Sequence, residues 1–151
     1  MKITPRKINL FMLYKLPSAY FCGVRVLSIS DEKAEVKVRH RWINQNPFNS
    51  LYWAVQGMAS EFASGILVMQ EIKKTNRKIS MLVTRQEGKF TKKATGTIIF
   101  VCNDGKLIKE TIQKSIATGE GQVIHLKAEG FDANGDLVSQ FMYEWSIKAK
   151  G

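Results

Sequence analysis

Apolar residues in the middle of the chain recur every three to four positions. Leu51, Ala54, Val55, Met58, Phe62, Ile66 and Met69 fall on one side of a long helix running to about Ile72. Upstream the period shortens. Apolar and polar positions begin to alternate over residues 24–29, and Ala34, Val36 and Val38 then alternate with Glu35, Lys37 and Arg39, the pattern of two half-buried strands joined at residues 30–33. Downstream, residues 79–90, 95–102, 121–131 and 137–147 read as four more strands. In the last of them Leu137, Phe141, Tyr143, Trp145 and Ile147 share a face, with Gln140, Glu144 and Lys148 on the other. The last two strands flank Asp132-Ala133-Asn134-Gly135-Asp136, whose Asn-Gly pair predicts a hairpin. Residues 104–117 read as a crossover helix capped by Asn103 or Asp104. A short opening helix spans about residues 5–15, with Pro5 in its first turn and Pro17 just beyond its end.

The central helix also carries Ala54, Gly57, Ala59, Ser60, Ala63, Ser64 and Gly65. A glycine inside a helix costs about 1 kcal/mol relative to alanine, so two of them predict another element lying close to the backbone. A sheet wrapped tightly around the helix satisfies that requirement. The expectation is a single α+β domain over residues 1–151, with about six antiparallel strands and one long helix inserted after the second.

Composition narrows the class. A length of 151 residues with 44% hydrophobic and 24% charged residues fits one core, and 3 prolines with 11 glycines exclude collagen-like and low-complexity chains. No stretch approaches the roughly 20 apolar residues of a membrane span. The N-terminal 21 residues imitate a signal peptide, but the apolar run is short, is interrupted by Lys15 and Pro17 and precedes no small-residue cleavage pattern, so a cytoplasmic protein is expected. Cys22 and Cys102 form neither a disulfide scaffold nor a metal-ligand spacing, and no metal is expected.

The net charge of +10 admits nucleic acid, anionic lipid or a polyanionic small molecule as partner. Basic residues are densest where Lys73, Lys74, Arg77, Lys78, Arg85, Lys89, Lys92 and Lys93 face only Glu87. Such a segment is either a solvated surface or a phosphate-binding one. Nucleic acid ranks last, because no helix-turn-helix, zinc or ribonucleoprotein motif accompanies the charge. His40 and His125 lie in strand patterns without a serine or cysteine partner, and Ser115 and Cys22 lack an activating neighbour in sequence.

The segment Asn44-Gln45-Asn46-Pro47-Phe48-Asn49-Ser50-Leu51-Tyr52-Trp53-Ala54-Val55-Gln56-Gly57-Met58-Ala59-Ser60-Glu61 resembles the hotdog-fold acyl-CoA thioesterase superfamily. Leu16-Pro17-Ser18-Ala19-Tyr20-Phe21 and Ala117-Thr118-Gly119-Glu120-Gly121 extend the resemblance, which points to an uncharacterised branch related to the phenylacetate-type thioesterases. It implies a hotdog fold, a long central helix wrapped by a curved antiparallel sheet. It also implies hydrolysis of an acyl thioester in a homodimer or dimer of dimers, with coenzyme A as part of the substrate and no separate cofactor.

In those relatives a His-Gly-Gly turn starts the long helix and its N–H groups polarise the thioester carbonyl. Here Phe48-Asn49-Ser50 takes that place, leaving the N–H groups of Ser50 and Leu51 as the implied donors. Alternatively Asn49 or Ser50 caps the helix, which engages the same donors. The relatives' carboxylate lies about two turns into the helix, where the nearest match is Gly57. Glu61, one further turn along, is then the candidate base, and Gln56 a group that orients water or the thioester oxygen. Asn46 and Ser80 are implied substrate contacts, and Lys89, Lys92 and Lys93 would hold the coenzyme phosphates. The second reading is a catalytically silent protein that holds an acyl-CoA or fatty acid, which Gly57 favours.

Overall fold

Pro17 begins a helix rather than merely following one. The computed structural model describes residues 3–151; Met1 and Lys2, the start of the expected N-terminal segment, lie outside the described residues. Helix α1 (Pro5–Lys15) is followed at once by a short α2 (Pro17–Phe21), because proline at the first helical position loses no needed N–H. Then come β1 (Arg25–Ile29), β2 (Ala34–Arg39), a 3-10 turn at Trp42–Asn44, α3 (Trp53–Thr75), β3 (Ile79–Phe90), β4 (Thr97–Cys102), α4 (Gly105–Thr118), β5 (Gln122–Phe131) and β6 (Leu137–Ala149). Every strand pair is antiparallel, and the sheet order is β1-β2-β4-β5-β6-β3. No helix among the described residues is long and apolar enough to cross a membrane.

One face of this sheet covers α3. Val55, Ala59, Phe62, Ala63, Ile66 and Leu67 of the helix are buried together with Val36, Val38, Ile98, Phe100, Leu126 and Phe141 of the strands. The small residues do what their cost predicts. A Cβ on Gly65 would lie 3.4 Å from the Trp145 ring, so the absent side chain lets that ring of β6 lie against the helix backbone. Ser60 Oγ and Tyr143 Oη lie 2.7 Å apart, and each is 3.0 Å from the Gly57 carbonyl oxygen. Trp145 donates its indole N–H to Ser64 Oγ at 3.2 Å.

Two local expectations are corrected. The long helix starts at Trp53 rather than Leu51, because Leu51 N donates to the Ala94 carbonyl (2.9 Å) and Tyr52 N to the Asn44 carbonyl (3.0 Å), which holds both residues extended. Asp104 precedes α4, yet its carboxylate does not cap the helix; it accepts from Lys127 N at 2.9 Å and ties α4 to β5 instead. The β5–β6 hairpin, by contrast, turns through residues 132–136 as expected. Only Gly135 is left-handed there (φ 82°), and Asp132 Oδ1 accepts from the N–H groups of Asn134 and Asp136.

Gly105 offers a direct test of the packing at the start of α4. A Cβ there would collide with the Asp31 carbonyl oxygen and Glu32 Cα, backbone atoms that cannot swing aside. Gly105→Ala is expected to destabilise the fold by about 1–3 kcal/mol or more, as overpacking does. A thermal melt that matches the parent would show that the β1–β2 turn yields.

Candidate active site

The approach to α3 is built by two asparagines. Asn44 is buried; its Oδ1 accepts from Arg41 N (2.8 Å), and its Nδ2 donates to the carbonyls of Cys22 (2.9 Å) and Arg39 (2.8 Å). Asn46 Oδ1 accepts from Phe48 N (2.9 Å) and Ser50 N (3.3 Å), while its Nδ2 donates to Ser50 Oγ at 2.9 Å. Asn49 completes the loop in the left-handed region (φ 58°), which asparagine tolerates better than most residues.

This wiring changes the expected donors. Ser50 N is engaged by Asn46 and Leu51 N by Ala94, so neither aims at a ligand. Nor does Asn49 or Ser50 cap α3, whose N-cap is Tyr52 without any side-chain cap. The first-turn N–H groups of Trp53 and Ala54 have no acceptor among the described residues, so the positive end of the helix opens two to three residues later than the sequence implies.

Beside that end lies a groove of about 570 Å³, with residues 46–48, 50–53 and Gln56 on one wall and Phe90, Lys92, Lys93 and Ala94 on the other. Of the expected residues, Asn46, Ser50, Gln56, Lys92 and Lys93 come together here. Asn49, Glu61, Ser80 and Lys89 do not line it. Ser80 sits ten residues from Phe90 on β3, about 34 Å along the strand, and donates to the Lys148 carbonyl at 3.3 Å. Lys92 is not a free cation: its Nζ lies 2.6 Å from Asp132 and 2.8 Å from Asp136, carboxylates that raise its pKa above the ordinary lysine value. Lys74 is likewise held by Asp31 and Glu71, so the basic segment is better neutralised than its sequence suggests. Lys93 makes no ion pair among the described residues. Sequence reasoning passed over the aromatic lining, Phe48, Tyr52, Trp53 and Phe90; the crowding of the first three around residue 50 was the available signal.

Two polar groups on α3 lack structural employment. Gln56 is 5% exposed, donates weakly to the Leu51 carbonyl at 3.5 Å, and leaves its Oε1 buried with no partner. An orphaned buried acceptor of this kind costs on the order of 1–3 kcal/mol. Glu61 is half-buried, and its carboxylate makes no hydrogen bond or ion pair among the described residues. Burial pushes its pKa above the ordinary glutamate value. Because α3 starts at Trp53, about two turns of helix reach Ser60 and Glu61, and Gly57 is only about one turn in. Gly57, Glu61 and Gly65 share the face that packs on Phe141, Tyr143 and Trp145.

His125, Cys102 and Ser115 are occupied or shielded. His125 Nε2 lies 3.0 Å from Glu144 on an exposed face, and burial pushes the Cys102 thiol up to about 12, so it carries no thiolate at neutral pH. Ser115 Oγ donates to the Glu120 carbonyl and accepts from Ala149 N.

The sequence model of DUF4442, a domain of unknown function, matches residues 6–147. The chain belongs to the DUF4442 family. No curated protein matches this DUF4442 sequence. Its fold recurs in solved structures. A Pseudomonas aeruginosa protein of unknown function described as a probable thioesterase is 15% identical, with a TM-score of 0.79 over 97% of both chains. A Chlorobaculum tepidum protein of unknown function is 17% identical, with a TM-score of 0.82 over 97% of this chain and 94% of that one. A Haemophilus influenzae thioesterase is 11% identical, with a TM-score of 0.72 over 99% of this chain and 93% of that one. The long helix wrapped by six antiparallel strands is the hotdog fold, as the order of elements in the sequence implies.

Proposed function

We propose that this DUF4442 protein is a cytoplasmic acyl-thioester hydrolase, with acyl-CoA as its substrate class, acting as a homodimer or dimer of dimers. The observation that carries the reading is Glu61, a desolvated carboxyl without a structural partner, about two turns from the open end of α3. A carboxylate with a raised pKa is suited to take a proton from attacking water near neutral pH. The free N–H groups of Trp53 and Ala54 supply donors for the oxyanion, and the unpartnered Gln56 Oε1 is an acceptor able to orient the water. Water adds to the carbonyl, Glu61 takes its proton, and the proton passes to the departing thiolate, leaving an acid and a thiol. The aromatic lining of the groove suits an acyl chain, and Lys93 is placed for a phosphate at its rim.

The open edge of the sheet supports the dimer. β3 is 12 residues long and pairs only with β6, with Leu82 64% exposed along it. Unpaired edges of that length recruit another strand, and a second β3 is the symmetric partner. Light scattering at micromolar concentration is expected to give two or four chains; a monomer would contradict it.

One observation favours the silent-binding reading: the Glu61 carboxyl does not line the groove of the single chain. Incubating the purified protein with a panel of acyl-CoA thioesters and assaying released thiol separates the two. Turnover supports hydrolysis, and tight acyl-CoA binding without thiol release supports the silent protein.

A further inference from the structure

A second pocket, of about 390 Å³, opens on the outer face of β1 and β2 and is lined by Gly23, Arg25, Lys37, Arg39, Arg41 and Thr97. Four of these six residues are cations and none is an acid. Arg25 and Lys37 are directly opposite across the β1–β2 ladder, an arrangement that like charges disfavour. Lys37 and Arg39 follow on the same face of β2. The neighbouring carboxylate on that face, Glu35, is engaged by Lys33 at 3.0 Å and Ser28 at 2.8 Å. None of the four cations makes an ion pair among the described residues.

The fold holds this repulsion in a fixed geometry. Arg25 Nη1 donates to the carbonyls of Tyr20 (2.6 Å) and Val24 (2.8 Å), and its guanidinium lies 3.5 Å from the Tyr20 ring centroid. That anchorage leaves Nε and Nη2 without a partner among the described residues. Gly23, at φ 92°, leaves room for Arg41: a Cβ there would lie 2.6 Å from an Arg41 guanidinium nitrogen. Thr97 pairs with Arg39 across β2–β4 and adds a hydroxyl. In the chain, the Trp42–Asn44 turn stands between Arg41 in this pocket and Asn46 in the thioester groove.

We propose that this pocket is a binding site for a phosphate monoester. A phosphate dianion offsets the repulsion among the four cations, and planar guanidinium groups match its oxygens in pairs. Two sources present that chemistry, a soluble organic phosphate and the headgroup of an anionic phospholipid. The site does not depend on thioester hydrolysis.

The test titrates the full chain with adenosine 3′,5′-bisphosphate by calorimetry and, separately, with phosphatidylcholine vesicles containing phosphatidic acid by co-sedimentation. Lys37→Glu combined with Arg39→Glu is expected to weaken binding of one probe by about tenfold or more, since two charge-assisted contacts are reversed. The milder Lys37→Gln with Arg39→Gln is expected to weaken the same probe less and guards against misfolding, both side chains being exposed. The affected probe identifies the source. Lys114→Glu, a charge reversal at an exposed cation outside both the pocket and the groove, is expected to leave that binding unchanged, which separates this site from the general charge of the chain. Failure of both probes to bind the parent, or equal binding by the double charge-reversal variant, overturns the proposal.

Discussion

Glu61→Gln is expected to lower the rate of thioester hydrolysis by about 100-fold to 10,000-fold, the usual loss when a general base is removed. The same substitution is expected to raise the melting temperature at neutral pH. Burial raises the Glu61 pKa in the fold above its unfolded value. Between those two values the native state binds more protons than the unfolded one, so stability falls as pH rises through the window. Below the unfolded value the carboxyl is neutral in both states and no penalty remains. Glutamine never carries the charge, so the variant gains stability over the parent above the window and matches it near pH 4. The acid limb of the parent's kcat/KM profile is expected above the ordinary glutamate value for the same reason. Gln56→Ala is expected to cost less in rate, because it removes an orienting acceptor rather than the base. Full activity in Glu61→Gln would end the assignment.

Phe141→Ala is expected to cost about 3–5 kcal/mol, the range for emptying a buried phenylalanine site. The ring is 1% exposed and sits at a junction of aromatics, 5.6 Å from Phe90, 6.2 Å from Phe100 and stacked 6.0 Å from Tyr143. It also fills the space over two glycines, with Cβ positions 3.9 Å away at Gly57 and 3.0 Å away at Gly88. Collapse into the vacated volume is limited, since the nearest backbones belong to a helix and a paired strand. Denaturant unfolding measures the loss. Phe90 lines the groove and leans on Phe141, so a destabilised but folded variant is also expected to bind an acyl substrate less tightly.

The fold was legible because its signals are periodic. Alternation at Ala34, Val36 and Val38 placed β2 to the residue, and the Leu51–Met69 stripe placed the helix that the sheet covers. The helix start was not legible, because it depends on Leu51 and Tyr52 donating to Ala94 and Asn44, contacts between segments that no local pattern encodes. That shift of two residues matters for the site. It brings the two-turn position to within a residue of Glu61 and moves the free N–H groups from Ser50 and Leu51 onto Trp53 and Ala54. The charge pattern misled in a similar way: Lys92 looked unopposed along the chain, while Asp132 and Asp136 reach it from a hairpin about 40 residues away. The cations of β1 and β2 are dispersed in sequence and become a cluster only when the ladder sets Arg25 opposite Lys37.

The order β1-β2-β4-β5-β6-β3 has a consequence for how the chain is made. Within the chain β3 pairs with no strand except β6, the last of the six to be synthesised. From Ile79 to Ala149 is 70 residues of further synthesis, about 4–14 s at ordinary translation rates. Through that interval the whole length of β3, and the strip of α3 that packs on β6, are exposed without their cover. A ribosome stalled before Leu137 presents both at once, and such nascent chains are expected to be favoured clients of chaperones that hold greasy, unpaired strands until release.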